Sequence, residues 1–295
     1  MRYAYMKSLL FSVGKIKCNK LVRFATSAIS ALSLIGGINA AKATGETPTA
    51  KQINYDLGDK QGAIANYNQA IQINPNDANA YINRGFTKYE LGDKQGAIAD
   101  YNQAIQINPN FALAYNNRGN VKSDLGDKQG AIADYNQAIQ INPNFTEAYG
   151  DRGNVKYELG DKQGAIADYN QVIKINPNNA NAYINRGNVK YDLGDKQGAM
   201  ADYNQVIKIN PNDANAYNNR GNIKSELGDK KAAIADYNQA IQINPNYAQA
   251  YGNRGLAKSA LGDKQGAIED LQKAAQLFKA QNKTADYERA MNLLK

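Results

Sequence analysis

Apolar and small residues recur at helical spacing across residues 78–281, and one arrangement returns again and again. Wound at about 100° per residue, the stretch 78–91 gathers Ala80, Tyr81, Arg84, Gly85, Lys88 and Leu91 on one arc. Asn79, Ile82, Asn83, Phe86, Tyr89 and Glu90 take the opposite arc. This predicts an amphipathic helix, broken by Gly92-Asp93. Asp93 is a suitable N-cap for a second helix. That helix ends at Asn108-Pro109-Asn110, because Pro109 lacks the backbone donor a helix interior requires. Asn110 or the residue after it is expected to cap the next helix.

The pattern has a fixed period. Leu-Gly-Asp-Lys begins at residues 57, 91, 125, 159, 193, 227 and 261, always at an interval of 34. Ile-Asn-Pro-Asn returns at 73, 107, 141, 175, 209 and 243 with the same interval. Helix, turn, helix and turn in each period specify an all-α array of stacked antiparallel hairpins.

The unit resembles a tetratricopeptide repeat in Tyr81-x2-Arg84-Gly85-x2-Lys88, then Ala97-x3-Tyr101, then Pro109. Gly85 and Ala97 fill small-residue slots where paired helices approach closely. The resemblance implies a right-handed superhelical solenoid that works as a protein-interaction scaffold through its concave face. Residues 44–77 read as a degenerate first unit. Six units follow at 78–111, 112–145, 146–179, 180–213, 214–247 and 248–281. In residues 282–295, Tyr287, Ala290, Met291 and Leu294 share one face, as expected of a capping helix.

Arg84 and Lys88 depart from the family pattern, which is apolar in both slots. A buried unpaired charge costs several kcal/mol, so repeated cations on a packed arc must be paired or reach water along their alkyl stems. The second helix offers an aspartate beside its tyrosine. The expected structural ion pairs are Arg84 with Asp100, Arg118 with Asp134, Arg152 with Asp168, Arg186 with Asp202, Arg220 with Asp236, and Arg254 with Asp270. Lys88 and its equivalents are expected to snorkel. In the first unit Ala50 and Asn54 hold the cation slots and Asn66 replaces the aspartate, so both partners vanish together.

The opposite arc carries amides. Asn83, Asn117, Asn185, Asn219 and Asn253 precede the arginines, with Asp151 in one unit. One turn along lie Asn120, Asn154, Asn188 and Asn222. A primary amide donates and accepts, so such a ladder suits an extended peptide backbone. In peptide-binding members of the resembled family, an asparagine in the Asn83 slot commonly clamps ligand backbone. Tyr89, Tyr157 and Tyr191 add amphipathic surface. A merely solvated asparagine face is the plainer alternative. Glu90, Asp124, Glu158, Asp192 and Glu226 stand one per unit, without the close carboxylate pair of a glycosidase.

Composition narrows the chemistry. The 295 residues contain no histidine, and the one cysteine is Cys18. Histidine-based triads and His or Cys metal sites are therefore unsupported, and neither cofactor, metal nor catalytic residue is expected. The net charge of +8 is concentrated in residues 1–43, which hold seven Lys/Arg and no acid. The remainder is nearly neutral, which argues against nucleic-acid binding. Basic residues up to Arg23, an apolar stretch and Ala41-Lys42-Ala43 read as an export signal cleaved after Ala40 or Ala43. The alternative is an uncleaved anchor. The mature chain shows no membrane span, and its expected partner is a protein or peptide. A carbohydrate-binding or end-to-end self-stacking envelope protein is the alternative function.

Overall fold

The structure is a computed structural model that describes residues 60–295. The export segment and the start of the first unit lie outside the described residues. Fourteen helices and no strand occur among the described residues, in two compact units. The first unit holds α1 (Lys60–Ile73), α2 (Ala78–Glu90), α3 (Lys94–Ile107), α4 (Ala112–Asp124), α5 (Lys128–Ile141), α6 (Thr146–Glu158) and α7 (Lys162–Ile175). The second holds α8 (Ala180–Asp192), α9 (Lys196–Ile209), α10 (Ala214–Glu226), α11 (Lys230–Ile243), α12 (Ala248–Ala260), α13 (Lys264–Ala280) and α14 (Thr284–Leu293). Within each unit a helix packs chiefly on its neighbours in sequence, giving stacked hairpins.

Two turn chemistries set the period. After α2, Gly92 takes φ +89°, and the Gly92 and Asp93 N–H groups bond to the carbonyls of Tyr89 (3.0 Å) and Lys88 (2.9 Å). This closes the helix in a Schellman motif that needs a residue free to adopt positive φ. Asp93 then accepts the Gly96 N–H at 2.8 Å and starts α3. The other turn begins at Asn108, held extended at φ −132° by the proline that follows. Its side chain accepts the Asn110 N–H at 3.1 Å, so Asn110 does not cap.

The residue after Asn110 takes the N-cap position, with two solutions. Asp77, Asn179 and Asp213 accept backbone N–H bonds from the first turn of α2, α8 and α10. Phe111, Phe145 and Tyr247 make no such bond. Phe111 packs instead against a cluster containing Tyr101 and Val121. Tyr247 is buried and donates its hydroxyl to Asn215 Oδ1 at 2.8 Å. Apolar anchoring here offsets a missing cap worth about 1 kcal/mol.

Between paired helices the core is alanine and tyrosine. Ala97, Ala131, Ala165, Ala199 and Ala233 are fully buried beside Tyr101, Tyr135, Tyr169, Tyr203 and Tyr237. The first helix meets each ring with glycine. Ile82 lies in this core rather than on the open face, because successive first helices close over it. Leu91, expected on the packed arc, is 42% exposed, since α2 ends beneath it as its C-cap. At the far end α14 covers α13, with Ala290 buried against Leu271, Ala275 and Phe278. Met291, expected inward, is exposed. No helix among the described residues is long and apolar enough to cross a membrane.

The close approach of glycine to tyrosine yields a test. A Cβ on Gly153 would stand 2.9 Å from Tyr169 Cε1. Gly153→Val is expected to lower stability in denaturant unfolding by about 2–3 kcal/mol through overpacking. A loss under about 0.5 kcal/mol, the size of an ordinary surface change, would show that this contact does not set the helix spacing.

Candidate functional site

The cations on the packed arc are held by three kinds of partner. Arg84 donates from Nε to Asp100 Oδ2 at 2.9 Å and from Nη2 to Oδ1 at 2.6 Å. Its Nη1 reaches back to Asn68 Oδ1 on α1 at 2.7 Å. Its guanidinium also lies 5.3 Å from the centre of the Tyr81 ring. Its hydrogen bonding to Asp100 outweighs desolvation and holds Arg84 more firmly protonated than an ordinary arginine. Lys88 does not simply snorkel. Its Nζ lies 2.9 Å from Asp100 Oδ2, so one buried carboxylate serves two cations. The Asp pairing recurs at Arg118, Arg152, Arg186, Arg220 and Arg254. Lys122, Lys156, Lys190, Lys224 and Lys258 follow Lys88.

The asparagine on the preceding hairpin is a partner that reading one unit at a time misses. Asn102, Asn136, Asn204 and Asn238 accept from Arg118, Arg152, Arg220 and Arg254 at 2.6–2.8 Å. The signal is in the sequence, displaced by one period. The degenerate first repeat, residues 44–77, has lost the aspartate, as Asn66, yet keeps Asn68 for the arginine that follows. The last unit keeps Asp270 but has Gln272 in place of that asparagine, and Glu288 stands where the next arginine would be.

With the cations engaged on the packed side, the opposite face of the first helices carries the amides, whose environments differ. Asn120, Asn154, Asn188 and Asn222 each turn Oδ1 to a core hydroxyl, accepting from Tyr135, Tyr169, Tyr203 and Tyr237 at 2.6–2.9 Å. A buried phenol needs such a partner, so these carbonyls belong to the packing. Asn253 is fully buried and donates to Asn218 and Asn222, so it is not on an open face. Asn219 accepts from Asn218 at 3.3 Å, and Asn185 also has a partner. Asn83 and Asn117 are half-buried, and their side chains make no hydrogen bond among the described residues.

The tyrosines and acids tie neighbouring hairpins. Tyr89 donates to Asp124 and Tyr191 to Glu226, while Tyr157 is half-buried and also partnered. Lys60, Lys128 and Lys196 reach Glu90, Glu158 and Glu226 at 3.0, 2.6 and 2.8 Å. Asp192 is exposed but not without a partner. Glu90, Asp124, Glu158 and Glu226 act as joints between hairpins, and the rings keep part of their faces open.

Burial pushes the hydroxyls of Tyr101, Tyr203 and Tyr237 well above the ordinary tyrosine range. The folded chain keeps these protons where the unfolded chain releases them. Their stabilisation is therefore complete below about pH 10 and is lost as pH climbs toward the raised folded values. In an alkaline titration, the last tyrosinate absorbance is expected to appear together with loss of helical circular dichroism. Complete tyrosine ionisation in a chain still helical would contradict this.

Sequence comparison agrees with the geometry. Residues 52–92, 87–126, 153–194 and 187–228 match a family model described as TPR repeat. Residues 112–145, 214–247 and 248–281 match models described as tetratricopeptide repeat. No curated protein matches the chain at a significant level. Among solved structures, MamA is 27% identical with a TM-score of 0.53, covering 56% of this chain and 96% of its own. A tetratricopeptide repeat protein from Parabacteroides merdae is 22% identical with a TM-score of 0.58, covering 89% and 99%. YrrB, described as a TPR protein with an unusual peptide-binding site, is 23% identical with a TM-score of 0.53, covering 62% and 95%. Matched over most of its length by these repeat models, the chain belongs to the tetratricopeptide repeat family.

Proposed function

We propose that this chain is an exported, non-catalytic scaffold that holds a protein partner, as an extended peptide, on the amide-bearing face of its first helices. The observation that carries the reading is the free pair Asn83 and Asn117, half-buried amides with both donor and acceptor unused by the described chain. They stand one period apart on α2 and α4, spaced to meet successive parts of one strand. Family membership supports a protein or peptide as the ligand, and YrrB provides a relative of the same fold with a peptide-binding site. The ladder is shorter than the sequence implies. Asn253 is enclosed, Asn120, Asn188 and Asn222 retain only their amide donors for a ligand, and Asn154 has a further partner besides Tyr169. The first unit is therefore the proposed centre of binding, with Phe86 and Tyr89 as its aromatic surface.

Export rests on residues 1–43 and would leave a mature chain starting at Ala41 or Thr44, which N-terminal sequencing of the native protein would show. A displayed library of extended peptides, selected on the mature chain, tests the binding reading. Replacing both Asn83 and Asn117 by alanine is expected to weaken a selected peptide about tenfold or more, from two lost hydrogen bonds of about 1 kcal/mol each. Unchanged affinity, or glycan binding with no peptide selected, would overturn it.

A further inference from the structure

The two compact units carry the same three-step pattern on their first helices. Ile82-Asn83, Asn116-Asn117 and Gly150-Asp151 in one correspond to Ile184-Asn185, Asn218-Asn219 and Gly252-Asn253 in the other. A single member changes charge, with Asp151 standing where the second unit has Asn253. The hydrogen bonds register that change. Asn253 donates to Asn218 Oδ1 at 3.1 Å and to Asn222 Oδ1 at 3.0 Å, which closes its own copy of the face. A carboxylate cannot donate. Asn116 must therefore turn its amide toward Asp151, Nδ2 to Oδ2 at 3.2 Å. Its carbonyl oxygen is then buried with no donor, in a side chain only 4% exposed. Such an orphan acceptor is destabilising, and the second unit shows the residue type that removes it.

We infer that Asp151, Asn116 and the side-chain-free Gly150 form a recognition site for a lysine ammonium of the bound peptide. This deepens the peptide-binding reading and rests on it. The chemistry matches in number and sign. An ammonium brings three donors and no acceptor, while the Asp151 carboxylate, whose two oxygens can accept several bonds beside those it already makes, and Asn116 Oδ1 offer acceptors. A cation that takes Asp151 releases Asn116 Nδ2, and the amide can rotate to present its unmet oxygen to the same group. The neighbouring Arg152 does not compete, because its guanidinium is fixed on Asp168 at 2.5 Å. The equivalent surface of the second unit, neutral and closed by Asn253, holds no such site.

The test uses the full chain and two capped tripeptides, acetyl-Gly-Lys-Gly-amide and its glutamine counterpart, followed by NMR. The lysine peptide is expected to shift the Asn116 side-chain amide and the Gly150 backbone amide, saturating at a concentration at least tenfold below the glutamine peptide. Asp151→Asn should abolish that preference. It should also raise the thermal midpoint by about 2–4 °C, because the new amide can donate to Asn116 Oδ1, and the raised midpoint shows the variant is folded. Equal shifts from both peptides, or a lysine preference that survives Asp151→Asn, would overturn the cation site and leave the peptide-binding reading standing. No shift from either peptide would overturn both. An unchanged or lowered midpoint would remove the orphan acceptor from the account.

Discussion

One buried carboxylate per hairpin, shared by an arginine and a lysine, is the interaction on which this structure depends. Asp168 is almost wholly enclosed, with Arg152 and Lys156 on its two oxygens and Asn136 of the preceding hairpin on the far side of the arginine. A buried ion pair is usually weak evidence for stability, since desolvation consumes most of the attraction. Here the cations keep part of their side chains in water, which lowers that cost, and Arg84, Arg118, Arg152, Arg220 and Arg254 each have an acceptor on all three guanidinium nitrogens. Guanidinium is planar and rigid, so its three contacts fix an angle as well as a distance. A core of alanine and tyrosine has few branched side chains to specify that angle by packing.

This tie has a consequence for function. It lies on the packed side of the first helices and carries one junction between hairpins there, while tyrosine–carboxylate and lysine–glutamate contacts carry a second on the opposite side. The amides on that side are only partly free, because the buried hydroxyls of Tyr135, Tyr169, Tyr203 and Tyr237 each recruit one of them. What remains available is set by small substitutions on a repeated frame. Phe86 stands where the next four repeats have an asparagine, and Asp151 stands where the last has an enclosed amide. Near-identical hairpins thus present unequal surfaces, and the inequality is concentrated in the first unit.

The fold was largely readable from sequence because its determinants are local and periodic. Gly92, Asp93 and Pro109 punctuate the helices at fixed offsets, and the 34-residue interval does the rest. The constant separation of Arg84 and Asp100 points to contact within a hairpin. The contact of Arg84 with Asn68 spans two units, so it emerges only when the chain ends are compared. A helical wheel also failed at boundaries. Asn120 and Ile82 sit near the edge of the face, where the neighbouring helix, absent from any wheel, decides the direction. Leu91 fell to the opposite error, since a wheel continues past the point where the helix stops. Asn253 became enclosed through Asn218 and Asn222 of the preceding hairpin, a relation that no single period displays.

The central claim is that arginine joins consecutive hairpins as well as the two helices of its own. A double-mutant cycle on Arg118→Met and Asn102→Ala, read by denaturant unfolding, measures that junction most directly. The account predicts a coupling of about 1 kcal/mol between the two side chains. Additive losses, within about 0.3 kcal/mol, would show that the hairpins are held in register by something else.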